Sequence, residues 1–266
     1  MFRILVPLLC LMFSAAPGLS HEFWIEPNEY QVETGAELVA DLRVGERFEG
    51  ASQVFFPDRA PRSEIRVGDE IRPYTGRMGD IPAIRLVADT PGLWVLVHET
   101  SPSTVKYKEW QKFADFAAHK DIPDIEAWHI ARGLPRQDFF ETYTRHVKAL
   151  VGVGAAAGGD GETGMETEFI ALTNPYTDDL SGGMRVRLLY QGKPRPDAQV
   201  EIFDRAPDGT VSVHLARTDT VGIASVPVAP GHDYLLDAVV LRPAPEAERA
   251  VWQSLWAGLS FAVPIR

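Results

Sequence analysis

Apolar and polar residues alternate with a period of two through the first third of the chain. Glu37–Val44 runs out of the Gly35 turn, Ile81–Val87 alternates, and Leu93–Glu99 follows Thr90-Pro-Gly92. Short alternating runs punctuated by Pro and Gly predict a β-sandwich over 21–104. The period then lengthens. Trp110, Phe113, Phe116 and Ala117 fall on one helical stripe between Tyr107 and His119, and Phe139, Tyr143, His146 and Leu150 recur at spacings of four, three and four. That pattern predicts a helical segment over 105–151, broken by Pro123 and Pro135, with Pro123-Asp-Ile-Glu126 suited to a helix start. Residues 152–167 are small, polar and rich in Gly, which predicts a mobile linker. From Glu168 the period returns to two: Met184–Tyr190, Gln199–Phe203, Val211–Leu215, Ala224–Val228, Tyr234–Leu241 and Gly258–Val263 predict a second small sandwich over 168–266. The fold class expected is therefore mainly β, with two Ig-like or transthyretin-like sandwiches flanking a helical insertion.

The start of the chain changes this picture. Arg3 precedes an apolar run from Ile4 to Ala15, and Gly18 and Ser20 are small residues at −3 and −1 of a cleavage point. This is the layout of a secretory signal peptide over 1–20, and the run is too short to span a membrane. Cleavage after Ser20 makes His21 the mature N-terminus, with an α-amine and an imidazole on one residue. Both nitrogens suit a divalent first-row transition metal such as nickel, cobalt or copper. Cys10, the only cysteine, falls inside the leader, so the mature chain has no disulfide, thiolate ligand or thiol nucleophile. Export without disulfides fits a bacterial periplasm. The net charge of −11 argues against nucleic acid or an anionic membrane surface as partner.

Motifs exclude more than they propose. The chain has no Gly-x-Ser-x-Gly elbow, P-loop, dinucleotide fingerprint or His-Glu-x-x-His. Among the other histidines, His98 shares a strand face with Trp94 and Leu96, and His146 lies on the apolar stripe of its expected helix. Either fits a satisfied core histidine; as metal ligands they are the candidates to join His21. Met78, Met165 and Met184 form no cluster, and most of the six tryptophans sit on periodic faces as core residues.

Several stretches carry a family resemblance: His21-Glu-Phe-Trp-Ile-Glu-Pro27, Leu42-Arg-Val-Gly45, Tyr143-Thr-Arg-His-Val-Lys-Ala-Leu150, Leu172-Thr-Asn-Pro-Tyr176 and Ser254-Leu-Trp-Ala-Gly-Leu-Ser-Phe261. Together they resemble the periplasmic DUF4198 family, which implies the periplasmic component of a nickel or cobalt uptake system with a membrane transporter as partner. The metal-transport branch has a His-Pro-Phe-Glu-Gly-like segment where this chain reads Glu46-Arg-Phe-Glu-Gly50, with Glu for His and Arg for Pro. Gly192-Lys-Pro194, Ala198–Ile202 and Thr218–Val226 resemble transthyretin-like and collagen-adhesin-B-type sandwiches, which implies a fold and little chemistry. Three readings follow: a metal-binding accessory protein, a metal-independent envelope scaffold whose helices dock a partner, and a copper enzyme with an N-terminal His brace. A brace needs a second histidine that the sequence does not identify.

Overall fold

In the computed structural model the described residues are 21–246 and 249–265; the expected leader, 1–20, lies outside them. In chain order the elements are β1 (Glu22–Pro27), β2 (Gln31–Val32), β3 (Glu37–Glu46), β4 (Glu49–Gln53), β5 (Arg62–Val67), β6 (Glu70–Pro73), β7 (Ile84–Val87), β8 (Gly92–Glu99) and β9 (Ser103–Tyr107). The helices α1 (Trp110–His119) and α2 (Ile125–Ala131) follow, then β10 (Phe139–Val153), β11 (Thr167–Ala171), β12 (Met184–Tyr190) and β13 (Lys193–Pro194). The chain ends with β14 (Gln199–Arg205), β15 (Val211–Arg217), β16 (Ile223–Val226), β17 (Asp233–Pro243) and β18 (Trp252–Ala262).

One large sheet runs through the molecule in the order β15-β14-β17-β18-β10-β8-β5-β6, with β2 and β9 also paired to β10. Two four-stranded sheets cover it. The sheet of β1, β3, β4 and β7 packs Ile25, Leu38 and Leu42 against Trp94, Leu96, Val147 and Val151. The sheet of β11, β12, β13 and β16 packs Phe169, Val186 and Leu188 against Leu93, Val95, Leu150, Leu236 and Leu259. The protein is thus mainly β, with two sandwiches that share one sheet. Each fully buried Leu or Ile here contributes roughly 1.5–3 kcal/mol over its exposed state.

Two sequence expectations are corrected. Residues 139–153 are not helical: β10 is a 15-residue strand, parallel to β18 over Glu141–Ala149. It pairs with β18, β9, β8 and β2 along its length and is buried on both faces, so apolar residues fall on both and the period-two signal is masked. This pairing also joins the two expected sandwiches through one sheet, because β18 sits between β17 and β10. The stretch 152–167 is strapped down rather than a free linker. Its first two residues finish β10, Asn174 Nδ2 donates to the Ala156 and Gly158 carbonyls, and Arg66 Nη1 and Nη2 donate to the Glu162 and Thr163 carbonyls. Polar anchoring of this kind leaves no apolar periodicity to read.

The helices cover one end of the large sheet. Phe113, Phe116 and Ala117 are the buried residues of α1 and pack with Phe139, Trp252 and Trp256. The C-terminal end of α1 is fixed by a buried charge cluster. Lys120 Nζ pairs with Glu201, with Asp237 Oδ2 at 2.9 Å and with Glu22 Oε1 at 3.5 Å. Burial works against this ammonium, but the three carboxylates outweigh it and raise its pKa. His119 Nε2 adds a contact of 2.7 Å to Glu201 Oε1.

Candidate functional site

The geometry around His21 begins with strand register. In the β1–β3 pair, Glu22 lies opposite Gly45, so the next position outward sets His21 against Glu46. Glu46 opens the hairpin to β4, whose central residues Arg47 and Phe48 both have positive φ, 53° and 61°. A two-residue loop of this hand requires φ > 0 twice and favours Asn-Gly, so Phe48 is out of place by local preference. Tertiary packing holds it there: Phe48 is buried edge-on against Trp24 at 5.5 Å, with the Arg205 guanidinium 4.2 Å from its ring centre. The Arg47 amide donates to Glu22 Oε2 at 3.2 Å. The strained tip therefore stays closed, and Glu46 Oε1 comes 3.7 Å from His21 Nε2, both side chains partly open to solvent.

His21 also stands at the mouth of a cleft of about 960 Å³. One wall is formed by Phe23, Leu42 and Val44 on the inner face of the sheet of β1, β3 and β4; the other is β9, α1 and the start of β10. His98 lines the same cleft, so the structure brings two of the three histidine candidates to one place. The His98 ring is buried beside Phe23 and Phe55, and its Nδ1 lies 2.7 Å from Ser63 Oγ. Burial alone pushes its pKa down to about 4, so it is a neutral imidazole at pH 7.

His146 is not in the cleft. On a helix it would share a stripe with Tyr143, but on strand β10 adjacent residues face opposite ways. Tyr143 and Arg145 line the cleft, and His146 faces the other side, buried, with Nδ1 3.3 Å from the Trp256 carbonyl and Nε2 3.8 Å from Glu99 Oε1. His146 is thus separate from His21.

The misread period also hid the cleft's most distinctive side chain. Arg145 is buried, its guanidinium lies 4.4 Å from the Trp256 ring centre and 5.0 Å from that of Tyr143, and its Nη1 donates to the His21 carbonyl. Among the described residues its buried Nε has no hydrogen-bond partner and it makes no ion pair within 4 Å. Burial lowers its pKa from the usual arginine value. The signal was present in the alternation of Tyr143, Arg145, Val147, Ala149, Val151 and Val153, read at a period of two.

Among the described residues no group of three or more His, Cys, Asp and Glu side chains converges as a metal site. What the arrangement offers is an open pair, one imidazole and one carboxylate, with the His21 main-chain nitrogen on the same residue.

A family model described as "Domain of unknown function (DUF4198)" matches residues 19–242. The chain belongs to this family. No curated protein matches the DUF4198 chain. Among solved structures it is similar to a tetra-tandem repeat in the extending region of a large adhesion protein, at 10% identity and a TM-score of 0.20, covering 91% of this chain. The DUF4198 chain spans only 49% of that longer one. It is also similar to the D0–D1 domain of Intimin, at 12% identity and a TM-score of 0.19, covering 90% of this chain and 97% of that one.

Proposed function

We propose that this DUF4198 protein, after cleavage of its leader, works in the periplasm. It captures a divalent first-row transition metal there (nickel, cobalt or copper) and hands it to a membrane uptake system. The observation that supports this is Glu46 Oε1 at 3.7 Å from His21 Nε2. The position where the metal-transport pattern has a histidine carries a carboxylate here, and that carboxylate faces the terminal imidazole. The α-amine, imidazole and carboxylate form a mixed nitrogen–oxygen donor set of the kind first-row metals accept. An incomplete, partly exposed chelate suits cargo that must be released, whereas a closed four-ligand cage suits a resident ion. The fit extends to charge: Glu46 supplies an anion, and among the described residues no basic side chain pairs with it other than His21.

The test is nickel titration of protein with a verified His21 terminus beside protein extended by one glycine before it. The extension removes the amine as a terminal chelator and keeps the imidazole, so affinity should fall about tenfold or more; Glu46→Gln should weaken it further. Affinity of the native form should also fall with acid, because coordination requires nitrogen donors free of their protons. Equal affinity for the native and extended termini rejects this mechanism.

A further inference from the structure

We propose that the cleft beside His21 is a binding site for a small organic anion, an acidic head group carried on an aromatic or apolar body. The first argument is charge. The chain has 37 acidic residues against 26 basic ones, yet among the described residues the cleft lining includes Arg59, Lys106, Lys112 and Arg145 and no aspartate or glutamate. Such a local reversal of sign concentrates anions against the field of the whole molecule.

The second argument is that these cations are mostly uncompensated. Lys106 pairs with Asp138 at 2.5 Å. Arg145, Arg59 and Lys112 have no ion pair among the described residues, and Arg145 is only 7% exposed with its Nε unpartnered. A buried guanidinium without a counter-ion is costly. Asp237 foremost, then Glu22 and Glu141, act on it from the protein interior without reaching contact distance. Glu22 and Glu141 are themselves pushed up to about 7 by burial, so their charge at neutral pH is incomplete. An anion entering from the cleft supplies the missing partner.

The third argument is shape and surface. A volume of about 960 Å³ accommodates a small organic molecule, and Phe23, Phe56, Tyr107, Phe116 and Tyr143 give the walls apolar faces beside the cations. Bare inorganic anions would leave those rings unused. The site does not depend on the His21 amine, so it stands apart from metal capture.

The probe is 8-anilinonaphthalene-1-sulfonate, with N-phenyl-1-naphthylamine as its uncharged counterpart, titrated by fluorescence into the full mature chain. Arg59→Ala/Lys112→Ala is the test variant, because both side chains are exposed and their loss leaves the fold intact, checked by thermal melting. We expect one sulfonate probe per chain, affinity for it about tenfold weaker in the double variant, and no change for the uncharged probe. The glycine-extended protein should bind the sulfonate as the native one does. Absence of saturable sulfonate binding, several probes per chain, or equal responses of the two probes to the double variant would each overturn the proposal.

Discussion

Strand β10 carries two buried cations three residues apart, on opposite faces, and their surroundings differ completely. Lys148 is fully buried, and each of its three ammonium directions is used: Asp160 at 3.2 Å, the Gly161 carbonyl at 3.0 Å and Glu168 Oε2 at 2.9 Å. Its carboxylates are anchored in turn. Asp160 accepts from the Ala171 amide, and Glu168 from Thr163 and Gly164. Among the described residues Arg145 has one carbonyl, two aromatic rings and no carboxylate in contact. A charge satisfied from every side belongs to the scaffold. A charge left without its counter-ion at the wall of a cleft is placed for something the chain does not itself provide.

The largest expected effect tests the scaffold half of this contrast. Lys148→Met leaves Asp160 and Glu168 buried together without a cation, and breaking a buried pair in this way costs about 3–5 kcal/mol. Urea unfolding of the variant should show that loss, and Asp160→Asn added to it should recover part. A cost below about 1 kcal/mol would mean that Lys148 is no better compensated than Arg145, and the contrast would fail.

The same strand explains what the sequence could and could not disclose. Strand β12 alternates between a buried and a more open face, and the sequence pattern predicts β12 and β14 at nearly their observed limits. In α1, Phe113, Phe116 and Ala117 face the core as their stripe predicts. β10 lies inside the large sheet, where both faces are buried and apolar residues arise at every spacing. Phe139, Tyr143, His146 and Leu150 imitate a helix, which brings His146 among the candidates and leaves Arg145 out. His21 enters the candidates only through the expected cleavage point, and Glu46 only as a departure from the pattern that the family resemblance implies. Their juxtaposition depends on a hairpin closed against local preference by Phe48 burial, which no short-range rule contains. The strap over 152–167 is hidden likewise, since one buried Asp160 anchors a segment that composition reads as loose.

A second measurement sharpens the cleft side through pH. His98 titrates at about 4 in the folded protein against the ordinary histidine value of 6.5, lowered by burial. Between those values the unfolded chain binds a proton that the folded chain refuses. The neutral ring's contribution is therefore complete above pH 6.5 and is lost as pH falls toward 4, by roughly 3 kcal/mol in all. Glu22 and Glu141, raised to about 7 by burial, act in the opposite sense: the folded chain holds their protons more tightly, so stability from them is lost as pH rises from about 4.5 to 7. The two trends overlap in the native protein, so the informative quantity is the difference between it and His98→Phe. The gap in unfolding free energy should close, and turn in the variant's favour, as pH drops from 6.5 to 4. A pH-independent gap would show that a charge is tolerated beside Phe23 and Phe55, and that the cleft wall is wetter than its packing implies.

The smallest effect on stability is expected at Arg145 itself, and its smallness is the point. Arg145→Met keeps a long apolar stem against Trp256 and gives up the bond to the His21 carbonyl, a loss of about 1 kcal/mol. Removing a charge that no contacting carboxylate balances offsets part of that loss. Binding should respond in the reverse order: the sulfonate probe should lose more affinity in Arg145→Met than in Arg59→Ala/Lys112→Ala, because a buried guanidinium is less screened by water than exposed side chains. Lys148→Met should show the converse, a large stability loss with probe affinity retained under conditions where the variant is folded. If Arg145→Met instead unfolds the protein as severely as Lys148→Met, the two cations are equivalent supports of the strand, and the cleft has no special claim on its arginine.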